Sequence, residues 1–301
     1  MIKKLLKKTL NEKQKRCVKS KYNAMRGFVI NSLLSYNADD LKAAIKELGI
    51  RETDTALVHS NSNPDSGFKG APSDVVECLA KLLGENGNLL MVSIPFRGTT
   101  FDHLSKGKPF HRDRTISMMG LITEIFRRRP GVLRSLHPTH PVLALGKDGV
   151  WLTTGHESCA APCGAGTPFE KFLQLDGKIL FYDVPFGAIT FFHYVEDAVK
   201  ELLPFNVYHD KPFTVKAFDE RKQEHVVTVY AFNPVVTRNA YAVEEEMKQR
   251  GLVKYGKVGN SRLILVNAKD VLRCQTEMIK AGRLPYGETS SSAGKGITQN
   301  G

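Results

Sequence analysis

His193 and Glu196 stand three residues apart in ITFFHYVE, and on a helix that spacing puts both side chains on one face. A neutral imidazole beside a carboxylate can take a proton from an attacking nucleophile and be held afterwards as imidazolium. General base catalysis is the chemistry implied. The same pair also suits a surface histidine beside a solvated glutamate, and spacing alone leaves both readings open. His137 and His140 in RSLHPTHPVLALG, taken with His193, supply three imidazoles of the kind that zinc sites use, and a metal-dependent hydrolase is the reading that follows from them. Pro138 and Pro141 oppose it, because they make this stretch a loop rather than a helix presenting two rings together. Cys159 and Cys163 in ESCAAPCGAG lack the second pair that a zinc knuckle needs. Cys163 could act as a nucleophile with His193 as its base, but Gly164, Ala165 and Gly166 after it read as a tight loop over a buried thiol. The chain shows no Walker loop, dinucleotide fingerprint or α/β-hydrolase elbow. ATP and nicotinamide chemistry therefore lack support.

These residues need a scaffold, and the chain from residue 37 onward alternates strand and helix patterns. Asn37, Asp39 and Asp40 cap a helix over Leu41–Leu48 that Gly49 ends. Thr55–His59 reads as a strand, Ser73–Leu83 as a helix stopped by Gly84, and Asn88–Ile94 as a strand. Met118–Arg129 is helical up to Pro130, Leu143–Leu145 and Lys178–Val184 are strands, and Thr190–Leu203 is a helix. Such alternation implies an α/β domain of parallel strands with helices on both faces and ligand chemistry at the carboxyl ends of the strands. The loops after His59, Ile94 and Val184 are the places to search. Phe213–Tyr230 reads as a hairpin turning at Asp219–Glu224, a small insertion.

Charge is unevenly spread. Residues 1–27 hold ten Lys/Arg against Glu12 alone, which leaves only +3 of the net +12 for the other 274 residues. The basic character belongs to an N-terminal arm, residues 1–36, where Ile2, Leu5, Leu6, Leu10, Cys17 and Val18 fall among lysines at helical spacing. Two readings stand for residues 1–34: attachment to an anionic membrane surface, or a solvated helix packed on the domain. Nucleic acid is not expected, since the remaining chain is nearly neutral. Five cysteines at irregular spacing argue against a disulfide framework, and no apolar run approaches the length of a membrane span or secretory signal. A cytoplasmic protein, peripheral at most on the inner membrane surface, is expected. The Gly/Ser/Thr-rich residues 286–301 read as a disordered tail.

Taken in order, VHSNSN (58–63), MMGLITEIFRRRPGVLRSLHPTHPVLALG (118–146), CGAGTPFEKFLQLDGKILFYDV (163–184), ITFFHYVE (189–196) and GLVKYGKVGNSRLILVNAKDVL (251–272) resemble the aminoglycoside 3-N-acetyltransferase family. The likeness covers about residues 37–285. It implies a three-layer α/β/α sandwich around a mostly parallel sheet, with acetyl-CoA as co-substrate, no metal, and direct acetyl transfer to an amine. It places the catalytic histidine on His193, and on chemical grounds Glu196 then orients it or binds the ammonium while Thr190 or loop amides stabilise the oxyanion. His59, Ser60, Asn61 and Ser62, together with Arg134, Ser135, His137, Pro138 and Thr139, fall on loops that line the CoA channel in the family. Two positions depart from the antibiotic-modifying pattern: Gly187 stands where an acid is expected, and Pro141 where a serine is. Aminoglycosides are polycations that an acid-lined cleft attracts, so an amino sugar, nucleotide-linked, or an aminocyclitol is the acceptor expected. A non-catalytic binding protein on a degenerate transferase fold is the competing reading from another class.

Overall fold

Asn37 begins the folded domain because its side chain satisfies helix donors that otherwise lack partners. Its Oδ1 accepts from the N–H groups of Asp39 (2.8 Å) and Asp40 (3.1 Å), and Asp40 accepts in return from the Asn37 N–H. In the computed structural model, which describes residues 12–287, the helix so capped is α2 (Ala38–Leu48), closed by Gly49 at φ +119°. It follows α1 (Glu12–Leu33). Positions Ile2, Leu5, Leu6 and Leu10 of the basic arm and the tail from residue 288 lie outside the described residues.

The next elements follow the expected alternation: β1 (Thr55–Ser60), α3 (Pro72–Leu83), β2 (Asn88–Val92), α4 (Thr100–Leu104), β3 (Phe110–His111), α5 (Leu121–Arg128), β4 (Leu133–Arg134), β5 (Val142–Gly146), α6 (Gly149–Thr153), α7 (Pro168–Gln174), β6 (Lys178–Tyr182) and α8 (Phe192–Ala198). The chain ends with β7 (Phe213–Phe218), β8 (Glu224–Val229), α9 (Ala240–Gln249), β9 (Lys254–Val258), β10 (Ser261–Asn267) and α10 (Ala268–Lys280). Seven strands form one sheet in the order β4-β5-β2-β1-β6-β10-β9. Its centre, β2-β1-β6, is parallel, with Leu57 opposite both Leu90 and Ile179, and the strands on either flank are antiparallel.

Side-chain alternation along β1 shows why the sheet is covered twice. Ala56 and Val58 face α2, α3 and α5, packing with Leu41, Ile45, Leu79, Ile122 and Phe126, while Leu57 faces α7, α8, α9 and α10 with Phe172, Val195, Val243 and Val271. The three-layer α/β/α sandwich is the result. β2 is wholly buried and apolar after Asn88, as a strand covered on both faces must be.

The hairpin insertion is β7 and β8, turned by Asp219, whose Oδ1 accepts from the N–H groups of Arg221 and Gln223. Strand β3 adds to it in parallel, over a small core that includes Phe110, Val215, Ala217 and Val227. Two expected helices are shorter than their patterns. Helix α5 starts at Leu121 because Gly120 sits at φ +102°, and α8 stops at Ala198, breaking into a 3-10 turn before Leu203, which is extended ahead of Pro204. Tyr286 belongs to the domain rather than to the tail: its backbone pairs with that of Arg238 and its ring packs on Phe192 and Phe205.

Candidate active site

Helix α8 follows β6 and carries His193 at the carboxyl end of the parallel strands, where ligand sites of open α/β sheets form. The i, i+3 spacing does what it implies: His193 Nδ1 lies 2.9 Å from Glu196 Oε2. Because a carboxylate only accepts, Nδ1 carries the hydrogen, and Nε2 is left as the acceptor. Arg238 Nε donates to the same carboxylate oxygen at 2.9 Å, and its Nη1 donates to the carbonyl of Val236 at 3.1 Å. Glu196 is fully buried and His193 is 23% exposed. Burial pushes the Glu196 carboxyl up, but the His193 hydrogen bond and charge and the Arg238 charge outweigh it, so the group stays ionised below its ordinary range. Phe232 braces both cations. Its ring stacks on His193 at 4.3 Å, and the Arg238 guanidinium lies 5.1 Å over it.

His193 and Arg238 open onto a cavity of about 530 Å3 shared with Ile94, Phe96, Arg97, Met119, His140 and Asn233. Among the described residues its lining holds two arginines and no carboxylate. Thr190 is not part of that lining; it is buried, and its carbonyl accepts the His193 N–H at 3.0 Å.

The other sequence-selected residues divide into three groups. Ser135 and His137 are wholly buried beneath the cavity: Ser135 Oγ donates to His156 Nδ1 at 2.8 Å and accepts the Val142 N–H, while the His137 ring stacks on His156 at 4.3 Å. His137 Nδ1 accepts the N–H groups of Thr139 and His140, so the HPTH loop is wound around one imidazole. Thr139 Oγ1 lies 3.1 Å from His140 Nδ1, and the Pro138 carbonyl faces His103 Nε2 at 3.3 Å. His140, which precedes β5 antiparallel to β2, is the member of this loop that lines the cavity.

Arg134 turns its guanidinium into the protein. It donates to the carbonyls of Thr115 (2.5 Å), Ser93 (3.0 Å) and Arg112 (3.1 Å) and lies over Phe110, and burial, then repulsion from Arg127, pulls it down to about 9. His59 and Ser60 end β1, with His59 stacked on Phe181 at 5.2 Å and lowered to about 4 by burial. Asn61 and Ser62 line a separate cavity of about 220 Å3 with Ile122 and Tyr182.

Neither alternative chemistry gains a site here. Among the described residues no group of three or more His, Cys, Asp and Glu is placed to hold a metal ion. Cys163 is a free, fully buried thiol pushed well above its ordinary range by burial and by the charges of Asp197 and Glu196, which is the reverse of nucleophile activation.

The family model for aminoglycoside 3-N-acetyltransferase matches residues 57–280. The chain belongs to the aminoglycoside 3-N-acetyltransferase family. This N-acetyltransferase is 25% identical over 245 residues to aminoglycoside N(3)-acetyltransferase VII of Streptomyces paromomycinus, covering 75% of the present chain and 85% of that one. It shares a fold with AAC-IIIb, solved as a binary complex with CoASH, at TM-score 0.69 and 20% identity over 82% of this chain and 97% of that one. AAC-VIa bound to sisomicin matches at TM-score 0.69 and 22% identity, over 82% and 98% of the respective chains.

Sequence reasoning missed Arg238 and Phe232 in this family member. Both come from the connection between β8 and α9, about forty residues beyond Glu196, and neither sits in a periodic pattern or near a motif. The sequence offers His140 as a metal ligand or as part of a loop that shapes the chain or meets the cofactor; its place in the cavity wall carries no local signal.

Proposed function

We propose that this chain transfers the acetyl group of acetyl-CoA directly to an amine of an amino sugar or aminocyclitol that also carries an anionic group, such as a nucleotide-linked amino sugar, with His193 as general base. The observation that carries the reading is the His193–Glu196–Arg238 constellation opening onto a cavity whose described lining residues include no carboxylate. An amine must lose a proton to attack a thioester, and His193 Nε2 is the acceptor that Glu196 leaves available. Glu196 then stabilises the imidazolium, and its own charge is held by Arg238. As the amine nitrogen bonds to the carbonyl carbon and the carbon–sulfur bond breaks, His193 takes the amine proton and later returns it to the departing thiolate.

Acetyl-CoA, when bound, supplies the thioester. Residues 59–62 and 134–139 are the proposed donor loops. His59 Nε2 and Ser60 Oγ are buried without a protein partner, and such atoms normally have one, so they suit the polar groups of an extended ligand. The Thr190 hydroxyl remains the proposed oxyanion donor.

Charge selects the acceptor. Arg238 is compensated by Glu196, so the cavity's net positive charge comes from Arg97, which disfavours a polycation and favours an anion beside the amine. At Gly187 an added Cβ would lie 2.9 Å from the ring of exposed Tyr241, so an acid there requires that ring to shift. The test is an initial-rate assay of CoA release from acetyl-CoA against amino sugars, nucleotide-linked amino sugars and gentamicin-like aminoglycosides. The nucleotide-linked amines should be fastest. An aminoglycoside turned over with kcat/KM in the range of competent enzymes, about 10⁴ to 10⁸ M⁻¹s⁻¹, overturns the charge argument.

A further inference from the structure

Helix α1 presents a surface that nothing in the acetyl-transfer site uses. Val18, Tyr22, Met25, Val29 and Leu33 recur at spacings of four, three, four and four, which aligns them in one stripe along a helix. All five are exposed, Met25 at 62% and Leu33 at 78%, and Phe28 beside them is exposed at 72%. Among the described side chains of α1, Ile30 alone is buried. With 3.6 residues per turn Ile30 lies about 100° around the helix from the middle of the stripe, so the stripe does not face the domain. Lys21 borders it on one side and Lys15 on the other, with Arg26 beyond Lys15 ion-paired to Asp65 of the domain at 3.2 Å, and α1 holds six Lys/Arg against Glu12 alone.

We propose that α1 docks the enzyme on an anionic lipid surface, with the stripe at the acyl boundary and the bordering cations among the headgroups. Charge complementarity favours this occupant over a second copy of the chain, because pairing two such stripes sets Lys15 and Lys21 of one helix against the same charges of the other. A surface position rather than insertion across the bilayer follows from length and composition, since no helix among the described residues is long and apolar enough to span one.

The experiment is co-sedimentation of the full chain at low ionic strength with phosphatidylcholine vesicles, pure or with about one-third phosphatidylglycerol, set beside sedimentation equilibrium without lipid. The wild-type chain should bind the mixed vesicles and not the neutral ones. Tyr22→Glu with Met25→Glu should abolish binding. Lys15→Glu with Lys21→Glu should weaken it by about 25-fold or more, each basic side chain near an anionic surface being worth roughly five-fold. Both double variants should keep wild-type acetyl transfer to soluble substrate, which shows that they fold. Equal binding to neutral vesicles, no binding to mixed ones, or a lipid-free dimer that Tyr22→Glu with Met25→Glu dissociates would each overturn the proposal.

Discussion

One oxygen of Glu196 serves two cations, His193 when protonated and Arg238 throughout, and that sharing sets what each substitution should do. His193→Ala removes the base and should lower turnover by about 10² to 10⁴-fold while leaving acetyl-CoA affinity within a few-fold of wild type. Single-turnover rates beside a binding titration separate the two effects, and near-normal turnover would remove His193 from the mechanism. Glu196→Gln instead leaves Arg238 without its counter-charge in a buried setting. Breaking such a pair costs about 3 to 5 kcal/mol, so the urea midpoint should fall markedly, and adding Arg238→Met should recover part of the loss because no orphan cation remains. Of this cluster, His193 and Glu196 were legible because three-residue spacing is a local signal. Arg238 and Phe232 were not, since their place beside α8 is set by how the β8–α9 connection folds back, which no local pattern encodes.

Elements that bury a face against the sheet were legible to within a few residues. β1, β2 and β6 each hold a central run of three or more apolar residues, and α2 and α3 are bounded by caps and glycines. Five-residue helices such as α4 and α6, and the two-residue strands β3 and β4, have too few positions for a period to show. β9 and β10 pair across Gly259 and Asn260, a turn signal that is plain in KVGNSR once hairpins are sought there. The largest revision at this scale concerns β4. Its Arg134 lies on a stretch that the family resemblance assigns to the CoA channel, yet three carbonyls from two segments, the end of β2 and the loop after β3, converge on its guanidinium. Removing it strands those carbonyls, and each buried unpaired group costs about 1 to 3 kcal/mol. Arg134→Met should therefore lower the melting temperature by about 5 °C or more. Calorimetry checks it: an unchanged melting temperature with a raised KM for acetyl-CoA would return Arg134 to a ligand-contact role.

Across the whole molecule the ionisable groups that matter most for folding are buried histidines rather than the basic arm. His59, His137, His140 and His156 are all pulled down by burial, to about 4 for His59 and about 3 for His156, so the folded chain holds them neutral. An unfolded histidine titrates near 6.5. Above that pH neither state is protonated and the four contribute no pH dependence. As pH falls below it the unfolded chain takes up protons that the folded chain cannot, so stability is lost on acidification until the folded groups titrate. Each uncompensated proton gives a slope of about 1.4 kcal/mol per pH unit, and four approach roughly 5 kcal/mol per unit against a total stability of about 5 to 15 kcal/mol. Glu124, despite its partial burial held at about 2 by Arg127, Ser117 and Arg128, adds its own loss mainly below this window, as pH falls through the unfolded carboxyl range near 4.3. The urea midpoint followed by circular dichroism should be nearly level above pH 7 and fall steeply from about 6.5 to 5, with cooperative unfolding in mild acid. His59→Gln should reduce that slope by about a quarter, since three coupled protons replace four. A midpoint that does not move between pH 7 and 5 would show that these imidazoles take up protons in the folded state, and that the stacked His137–His156 pair and the HPTH loop open to water well before the domain unfolds.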